Sequence, residues 1–185
     1  MKSLNIAISI LPLIFVSCQF DGKKSQSSHA KPSGGDAKIV NEEHPLIGVA
    51  RQLTFVGPRS GEGYFSADGS HMIYQSERHE KNPFYQIYLQ DLTSGKTRLI
   101  SPGHGKTTCA WIHPSMKKVL YSSTHLDPDL KAKAKAEYES RQSKVKGRYS
   151  WSYDETYDIF ESDLNGKNIK RLTKEKGYDA EGSYS

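Results

Sequence analysis

The amino-acid sequence predicts an all-β fold made of repeated four-stranded antiparallel units, and three observations support this. The 185 residues include 11 tyrosines but only three methionines, a balance that favours strands over a helical bundle. Short segments such as Ile87–Gln90 alternate side chains with the period of two typical of strands. These segments recur in the same order along the chain, which indicates a repeat architecture.

Each unit opens with two strands joined by a turn. The segment Glu62–Ser66 reads EGYFS and the segment Glu181–Ser185 reads EGSYS, and Cys109–His113 aligns with both. The second strand follows as His71–Ser76 and as Lys118–Ser123, each ending in an apolar residue, a tyrosine, a polar residue and a serine. The alignment makes Glu62, Cys109 and Glu181 equivalent positions.

The third and fourth strands of each unit are predicted to form a hairpin. The segment Gln86–Lys96 matches Asp158–Lys167, and both contain the run Asp-Leu before a glycine. Ser94-Gly95 and Asn165-Gly166 predict tight turns, because glycine and asparagine accept a positive φ. The fourth strands are Thr97–Ile100, Ile169–Thr173 and, upstream, Arg51–Phe55.

Four short antiparallel strands in a repeat of about 40–50 residues are typical of a β-propeller blade. The succession Arg-x-Leu-Thr, aromatic-Ser-x-Asp-Gly and Ile-Tyr-x-x-Asp-Leu resembles the WD40-like (PD40) repeats of TolB-type propellers over residues 50–185. The turn Ala67-Asp68-Gly69 stands where that family favours Pro-Asp-Gly, and Pro114-Ser115-Met116 lacks the glycine. The resemblance implies a scaffold that binds a protein or a ligand.

The repeats account for about two and a half blades. Residues 56–123 and 157–173 supply two, residues 178–185 begin a third, and Leu53-Thr54 is predicted to be a last strand donated to the final blade. Propellers usually have four to eight blades. We therefore expect an incomplete propeller over residues 46–185, either the N-terminal portion of a longer protein or a truncated remnant without function.

The N-terminus has the pattern of an export signal over residues 1–17. Lys2 precedes the apolar run Leu4–Val16, which is shorter than the roughly 20 residues of a membrane span. The following Phe15-Val16-Ser17-Cys18 resembles a bacterial lipobox, which implies cleavage before Cys18 and lipid on its sulfur. Ordinary secretion with an incidental cysteine is the alternative. In a Gram-negative cell Gln19 favours, by analogy with such lipoproteins, the outer membrane, facing the periplasm or the cell surface.

Residues 18–45 are rich in Ser, Lys and Gly, so we expect the lipidated cysteine to be followed by a flexible tether. With Cys18 lipidated, Cys109 has no partner for a disulfide. Cys109 lies in an apolar strand pattern and is expected to be a packed thiol, with a reactive thiol as the alternative.

Positive charge is concentrated in an insert at about residues 126–150, between the second and third strands of blade two. Asp127-Pro128 predicts a helix start and Leu130–Gln142 a helix. The whole chain has a net charge of +5, and this insert alone supplies a similar excess. Its basic residues are Lys131, Lys133, Lys135, Arg141, Lys144, Lys146 and Arg148.

Such an insert could bind an anionic partner such as lipid headgroups or an acidic protein face. The alternative is a solvated surface excursion of the fold. Nucleic acid is disfavoured as a partner because an exported lipoprotein rarely meets it. The composition of the whole chain, with 35% hydrophobic and 25% charged residues, also excludes a polytopic membrane protein.

A second candidate site lies where inner strands of a propeller border the central channel. Glu62, Tyr178, Asp179 and Glu181 would gather at the mouth of that channel, where acidic groups could bind a peptide amine or a cation. The alternative is that these groups accept hydrogen bonds from backbone amides and hold the blades together.

The sequence contains no recognisable catalytic motif, so we expect no enzymatic activity of its own. It has no Gly-x-Ser-x-Gly segment and no metal-binding histidine or cysteine spacing, and no cofactor is expected. Gly103–Thr108 lacks the upstream glycine of a phosphate-binding loop, since position 100 is Ile100. An N-terminal propeller portion of a prolyl-oligopeptidase-like peptidase is the alternative.

Overall fold

The computed structural model describes residues 52–143 and 153–185, which form two four-stranded antiparallel sheets and an α-helix. The first sheet has the order β1 (Arg59–Phe65), β2 (His71–Glu77), β3 (Gln86–Asp91), β4 (Thr97–Leu99). The second has the order β5 (Thr107–Ile112), β6 (Lys118–Ser123), β7 (Asp158–Asp163), β8 (Lys170–Arg171). Helix α1 (Leu130–Gln142) lies between β6 and β7 in the chain. The predicted all-β class and four-stranded units are confirmed.

The repeat extends to the turns of the two outer hairpins. In the first sheet the Asp91 carboxylate accepts the backbone N–H groups of Thr93 and Ser94, at 2.8 and 2.9 Å. In the second sheet Asp163 accepts those of Asn165 and Lys167 in the same way. Each turn contains a glycine, Gly95 in the first sheet and Gly166 in the second. Both glycines have a φ of +70°, which confirms the predicted turns.

The repeat also extends to the end of each fourth strand. The backbone N–H of Ile87 donates to the Ser101 hydroxyl at 3.0 Å, and the N–H of Ile159 donates to the Thr173 hydroxyl at 2.9 Å. Ser101 and Thr173 occupy equivalent positions in the sequence repeat. A hydroxyl here completes the sheet edge where regular strand pairing stops.

The two sheets pack against each other through opposite faces of the repeated sequence. The first sheet turns the face that carries Ile73 toward the second, which presents the face that carries Tyr121. The equivalent of Tyr121 in the first sheet is Tyr74, which lies on the other side in a separate apolar cluster. The core between the sheets consists of Ile73, Ile87, Leu89, Ile100, Ala110, Ile112, Val119, Tyr121 and Phe160.

Each sheet therefore has a second face that points away from this core. On the outer face of the first sheet, Leu53 packs against a cluster that includes Tyr74 and Tyr88. On the outer face of the second sheet, Gly182 lies against the side chains of Leu120 and Ile159. The segments before β1 and after β8 thus begin to cover the two outer faces.

Leu53 and Thr54, predicted to be a last strand donated to the final blade, form no strand within the described residues, which include no such blade to pair with, so the prediction stays untested. The Gln90 side-chain amide donates to the Leu53 carbonyl at 3.2 Å, while the side chain of Leu53 packs on the sheet. A β-strand requires backbone pairing with a neighbour, and the described residues supply none beside Leu53. Leu53 therefore keeps the packing role of a fourth strand without its hydrogen bonds.

Helix α1 has the predicted bounds, but its N-terminus differs from the prediction. Asp129, rather than Asp127, occupies the N-cap position, and its side chain makes no capping hydrogen bond. Asp127 instead accepts the backbone N–H of Asp129 at 2.8 Å, which forms a turn leading into the helix. None of the side chains of α1 is buried. The helix is therefore held by polar contacts at its surface.

Several predictions concern residues outside the described ranges, namely the signal segment 1–17, Cys18, the tether up to residue 45, Lys144, Lys146 and Arg148. Within residues 52–143 and 153–185, no helix has the length and apolar character needed to cross a membrane. In the same ranges no group of three or more His, Cys, Asp or Glu side chains is arranged to hold a metal ion.

His125 is expected to make the fold sensitive to mild acid. Burial against Phe160, reinforced by His104 and Arg171, lowers the pKa of His125 from 6.5 to about 4. Because the folded pKa lies below the unfolded one, folding favours the neutral ring, and stability should fall as pH drops from about 6.5 to 4.

Urea unfolding at several pH values measures this dependence. Replacing His125 by Gln should flatten the slope over that range, whereas replacing the exposed His79 by Gln should leave it unchanged. An unaltered slope in the His125→Gln protein would count against the assignment.

Candidate functional site

A backbone irregularity recurs at the three positions that the sequence repeat makes equivalent. Pairing of β1 with β2 shifts register between Gly61 and Tyr64, and Glu62 in this bulge has a φ of +44°. Pairing of β5 with β6 shifts at the same place, where Cys109 has a φ of +52°. Glu181 has a φ of +61°. Residues other than glycine seldom adopt this conformation, so its recurrence indicates a structural feature of every unit.

Side chains link successive bulges. The Glu62 carboxylate accepts a hydrogen bond from the Thr108 hydroxyl at 3.0 Å and lies 3.6 Å from the Cys109 sulfur. The backbone of Glu181 in turn forms a hydrogen bond to the Cys109 sulfur. The Cys109 sulfur therefore contacts both the Glu62 side chain of the preceding unit and the Glu181 backbone of the following segment. Both glutamates are exposed, whereas Cys109 is buried.

The remaining two predicted residues, Tyr178 and Asp179, lie against the segment that precedes β7. The Tyr178 ring stacks on Tyr153, with centroids 5.7 Å apart, and meets Tyr157 edge-on at 5.2 Å. The backbone N–H of Asp179 donates to the Tyr157 carbonyl at 3.1 Å. Burial raises the pKa of Tyr157 above its usual value. Ring packing and backbone bonding thus fix the segment that leads to Glu181.

Cys109 is expected to react slowly with thiol reagents in the folded protein. Burial is the main cause that raises the pKa of its thiol, and the nearby Glu62 carboxylate adds to the effect. Both lower the fraction of thiolate, which is the reactive form. With Cys18 replaced by Ser, we expect labelling at least about tenfold slower in buffer than in concentrated urea.

A Glu62→Gln variant tests the electrostatic part of this account, because it removes the negative charge but keeps the shape of the side chain. Its labelling rate in buffer should rise above that of the parent protein. Equal rates in buffer and urea would show that Cys109 is not packed as described.

The basic residues of α1 divide into inward and outward groups. Lys133 lies 2.5 Å from Asp127 and 2.8 Å from Asp154, so it is held by two buried carboxylates. Arg141 also turns toward the fold. Lys131 and Lys135 are exposed, and Lys135 lies 3.8 Å from Glu139. Two of the four described members of the predicted anionic-partner patch therefore have internal partners.

The carboxylate of Asp154, which the sequence did not single out as a site residue, is the centre of this polar network. It accepts hydrogen bonds from Lys133 at 2.8 and 2.9 Å and from the Thr156 hydroxyl at 2.8 Å, and Lys106 lies 3.0 Å away. Burial by itself would raise the pKa of Asp154, but these partners outweigh it and lower the pKa to about 2. Asp154 is therefore ionised. It links Lys133 of α1 to Lys106, which lies in the loop between β4 and β5.

Sequence comparisons identify no relative: no family model matches the chain, and no curated protein matches it. Solved structures show partial likeness. The structure described as the putative TolB from Agrobacterium tumefaciens aligns with a TM-score of 0.43 and 18% identity, over 64% of this chain and 35% of that one. TolB from Acinetobacter baumannii aligns with a TM-score of 0.43 and 21% identity, over 69% of this chain and 24% of that one.

The apo structure of the isopeptidase AtxE2 aligns with a TM-score of 0.39 and 15% identity, over 60% of this chain and 18% of that one. This chain thus spans between about a fifth and a third of the lengths of these proteins. Likeness of this extent does not define the fold, which rests on the strand register and the packing of the two sheets.

Proposed function

We propose that the two sheets are consecutive blades of a TolB-like β-propeller that acts as a non-catalytic scaffold for binding an envelope protein or peptide. One observation carries the proposal: the sheets meet through opposite faces of the same repeated sequence. In a ring of blades, each blade shows one face to its predecessor and the other to its successor. Two sheets that formed a symmetric sandwich would instead meet through equivalent faces.

A series of equivalent side chains supports the same arrangement. Leu53 packs on the first sheet as Ile100 packs on the second, and Leu172 holds the next position in the series. Ile100 is 1% exposed, whereas Leu172 is 43% exposed. In the same way Ile112 is 6% exposed, whereas its equivalent Phe65 is 59% exposed. Phe65 and Leu172 are thus exposed at positions whose equivalents are buried between the two sheets.

In this proposal α1 and its flanks, about residues 126–150, are a helical insert in the second blade. Lipid on Cys18 would anchor the chain to the outer membrane on its periplasmic side, and the tether up to residue 45 would separate membrane and scaffold. Residues 178–185 would supply the first strand of a third blade.

The ligand-binding part of the proposal places a cationic or amino group at the bulges. Glu62 and Glu181 are exposed at equivalent positions and carry the same charge. Tyr178 and Asp179 lie in the segment that leads to Glu181. A peptide amino terminus would gain electrostatic attraction and hydrogen bonds from such carboxylates.

The test measures binding of a short peptide, Gly-Ala-Ala-Gly with fluorescein at its carboxyl end, by fluorescence anisotropy. We expect binding of the peptide with a free amino terminus and at least about tenfold weaker binding of its acetylated form. Glu62→Gln combined with Glu181→Gln should weaken binding of the free peptide similarly, whereas Glu175→Gln, at another exposed position, should not.

Equal binding by all three proteins would contradict the proposed site. Cleavage of the peptide would contradict the non-catalytic role.

A further inference from the structure

The C-terminal end of α1 reaches across to the first sheet through one arginine. Arg141 presents both terminal nitrogens to Glu77: Nη1 lies 3.0 Å from Oε2, and Nη2 lies 3.1 Å from Oε1. The same Nη2 donates to the Pro83 carbonyl at 2.7 Å. This is the two-pronged geometry by which a carboxylate recognises a guanidinium group.

We propose that Glu77 and the Pro83 carbonyl form a guanidinium-binding pocket, which Arg141 fills in cis and which accepts an arginine side chain of a partner peptide when the C-terminal end of α1 moves away. The proposal goes beyond the scaffold function, because the pocket lies apart from the bulges and does not depend on how many blades the protein has.

The carboxylate of this pocket is positioned by the first sheet, while Tyr138 of α1 forms one wall of the groove beside it. Glu77, at the end of β2, is 5% exposed. Arg59 of β1 contacts the same carboxylate and extends over the ring of Tyr85, 5.3 Å from its centroid. If Arg141 leaves, Arg59 still neutralises Glu77, so the carboxylate would not be left as an unpaired buried charge.

The contact that Arg141 makes is held weakly by its own helix. No side chain of α1 is buried, and beside Arg141 this end of the helix reaches the first sheet through the Tyr138 hydroxyl, which donates to the Glu80 carbonyl at 3.1 Å. Exposed polar contacts of this kind contribute little to stability. A competing ligand needs to displace only these contacts at the C-terminal end of α1, while Lys133 keeps the N-terminal part of the helix on Asp127 and Asp154.

The surroundings of Glu77 suit a peptide chain that carries the arginine. A groove of about 290 Å³ runs beside the carboxylate, and Val56, Pro58, Pro83 and Tyr138 form its apolar walls. Lysine, with a single ammonium group, cannot reproduce the paired contacts to both carboxylate oxygens and the carbonyl. The pocket is therefore expected to discriminate arginine from lysine.

The experiment compares the full chain with its Arg141→Ala variant, using N-acetyl-arginine amide as the probe and N-acetyl-lysine amide as its control. Binding is measured as a ligand-dependent rise in Tm and by isothermal titration. We expect the arginine probe to bind the variant at least about tenfold more tightly than the parent protein, in which Arg141 competes. The lysine probe should bind neither protein.

Lys135→Ala is the matched control variant, since it removes an exposed cation from the same helix. It should bind the arginine probe no better than the parent protein. A second variant, Arg141→Ala combined with Glu77→Gln, should lose the gain. If Arg141→Ala does not fold, Arg141→Lys keeps the charge and should show the same preference for the arginine probe.

Two results would overturn the proposal. One is equal binding of the arginine probe to the parent and Arg141 variants. The other is equal binding of the arginine and lysine probes, which would reduce the site to nonspecific attraction by a carboxylate.

Discussion

Replacing Gly166 by alanine is expected to destabilise the protein by about 2–4 kcal/mol, because two costs combine at this position. Gly166 has a φ of +70°, which disfavours any side chain. An added Cβ would also lie 2.4 Å from the Ile100 carbonyl oxygen of the neighbouring sheet. The nearest atoms are all backbone atoms of Ile100, so no flexible side chain could move aside.

Gly95 is the matched control for this change. It occupies the same turn of the first sheet and has the same φ of +70°, but a Cβ there would meet no atom within 4 Å. Gly95→Ala should therefore cost only the conformational part, about 1 kcal/mol. Urea unfolding followed by circular dichroism measures both. Equal losses would show that the turn of the second sheet does not approach the first sheet closely.

Replacing Asp154 by alanine is expected to destabilise the protein by about 2–4 kcal/mol. The carboxylate is 3% exposed and is the shared partner of Lys106 and Lys133. Its removal leaves two partly buried ammonium groups with fewer partners, although Lys133 keeps Asp127 and is 35% exposed, which moderates the loss. Glu139→Ala, which removes an exposed partner of Lys135, should change stability by less than about 0.5 kcal/mol.

The same network gives a pH dependence with a defined sign. The pKa of Asp154 is about 2 in the folded protein against 3.8 for the free side chain. A lowered folded pKa means that the ionised form stabilises the fold above about pH 4, and that this contribution disappears as pH falls toward 2. Asp154→Asn should remove this part of the acid sensitivity. Unfolding curves of Asp154→Asn and Asp154→Ala that match the parent protein at pH 7 would contradict the network.

The features that follow from local sequence could be predicted. Alignment of short segments made Glu62, Cys109 and Glu181 equivalent, and all three share a left-handed backbone, because a bulge is set by the residues of its own strand and turn. The bounds of α1 could likewise be predicted from a run rich in Ala, Lys and Glu, which are strong helix formers.

The features that depend on docking could not be predicted. Arg141 and Glu77 are 64 residues apart in the chain, and neither local segment indicates that the two side chains pair. The number of basic residues in the insert does not indicate which of them face solvent, and Lys133 and Arg141 turn to buried carboxylates. The packing of Leu53 on the first sheet requires only an apolar face, whereas its predicted strand pairing requires a neighbouring strand that the described residues do not include.

The way in which the two sheets meet is the central claim, and nuclear Overhauser contacts between side-chain and backbone protons test it most directly. Packing through opposite faces requires contacts between Gly166 and Ile100, and contacts that join Ile73 and Ile87 to Tyr121 and Phe160 in one apolar core. We expect these contacts and none between Tyr74 and Tyr121, which occupy equivalent positions. Contacts between Tyr74 and Tyr121 would show that equivalent faces meet, which would contradict the arrangement of consecutive blades.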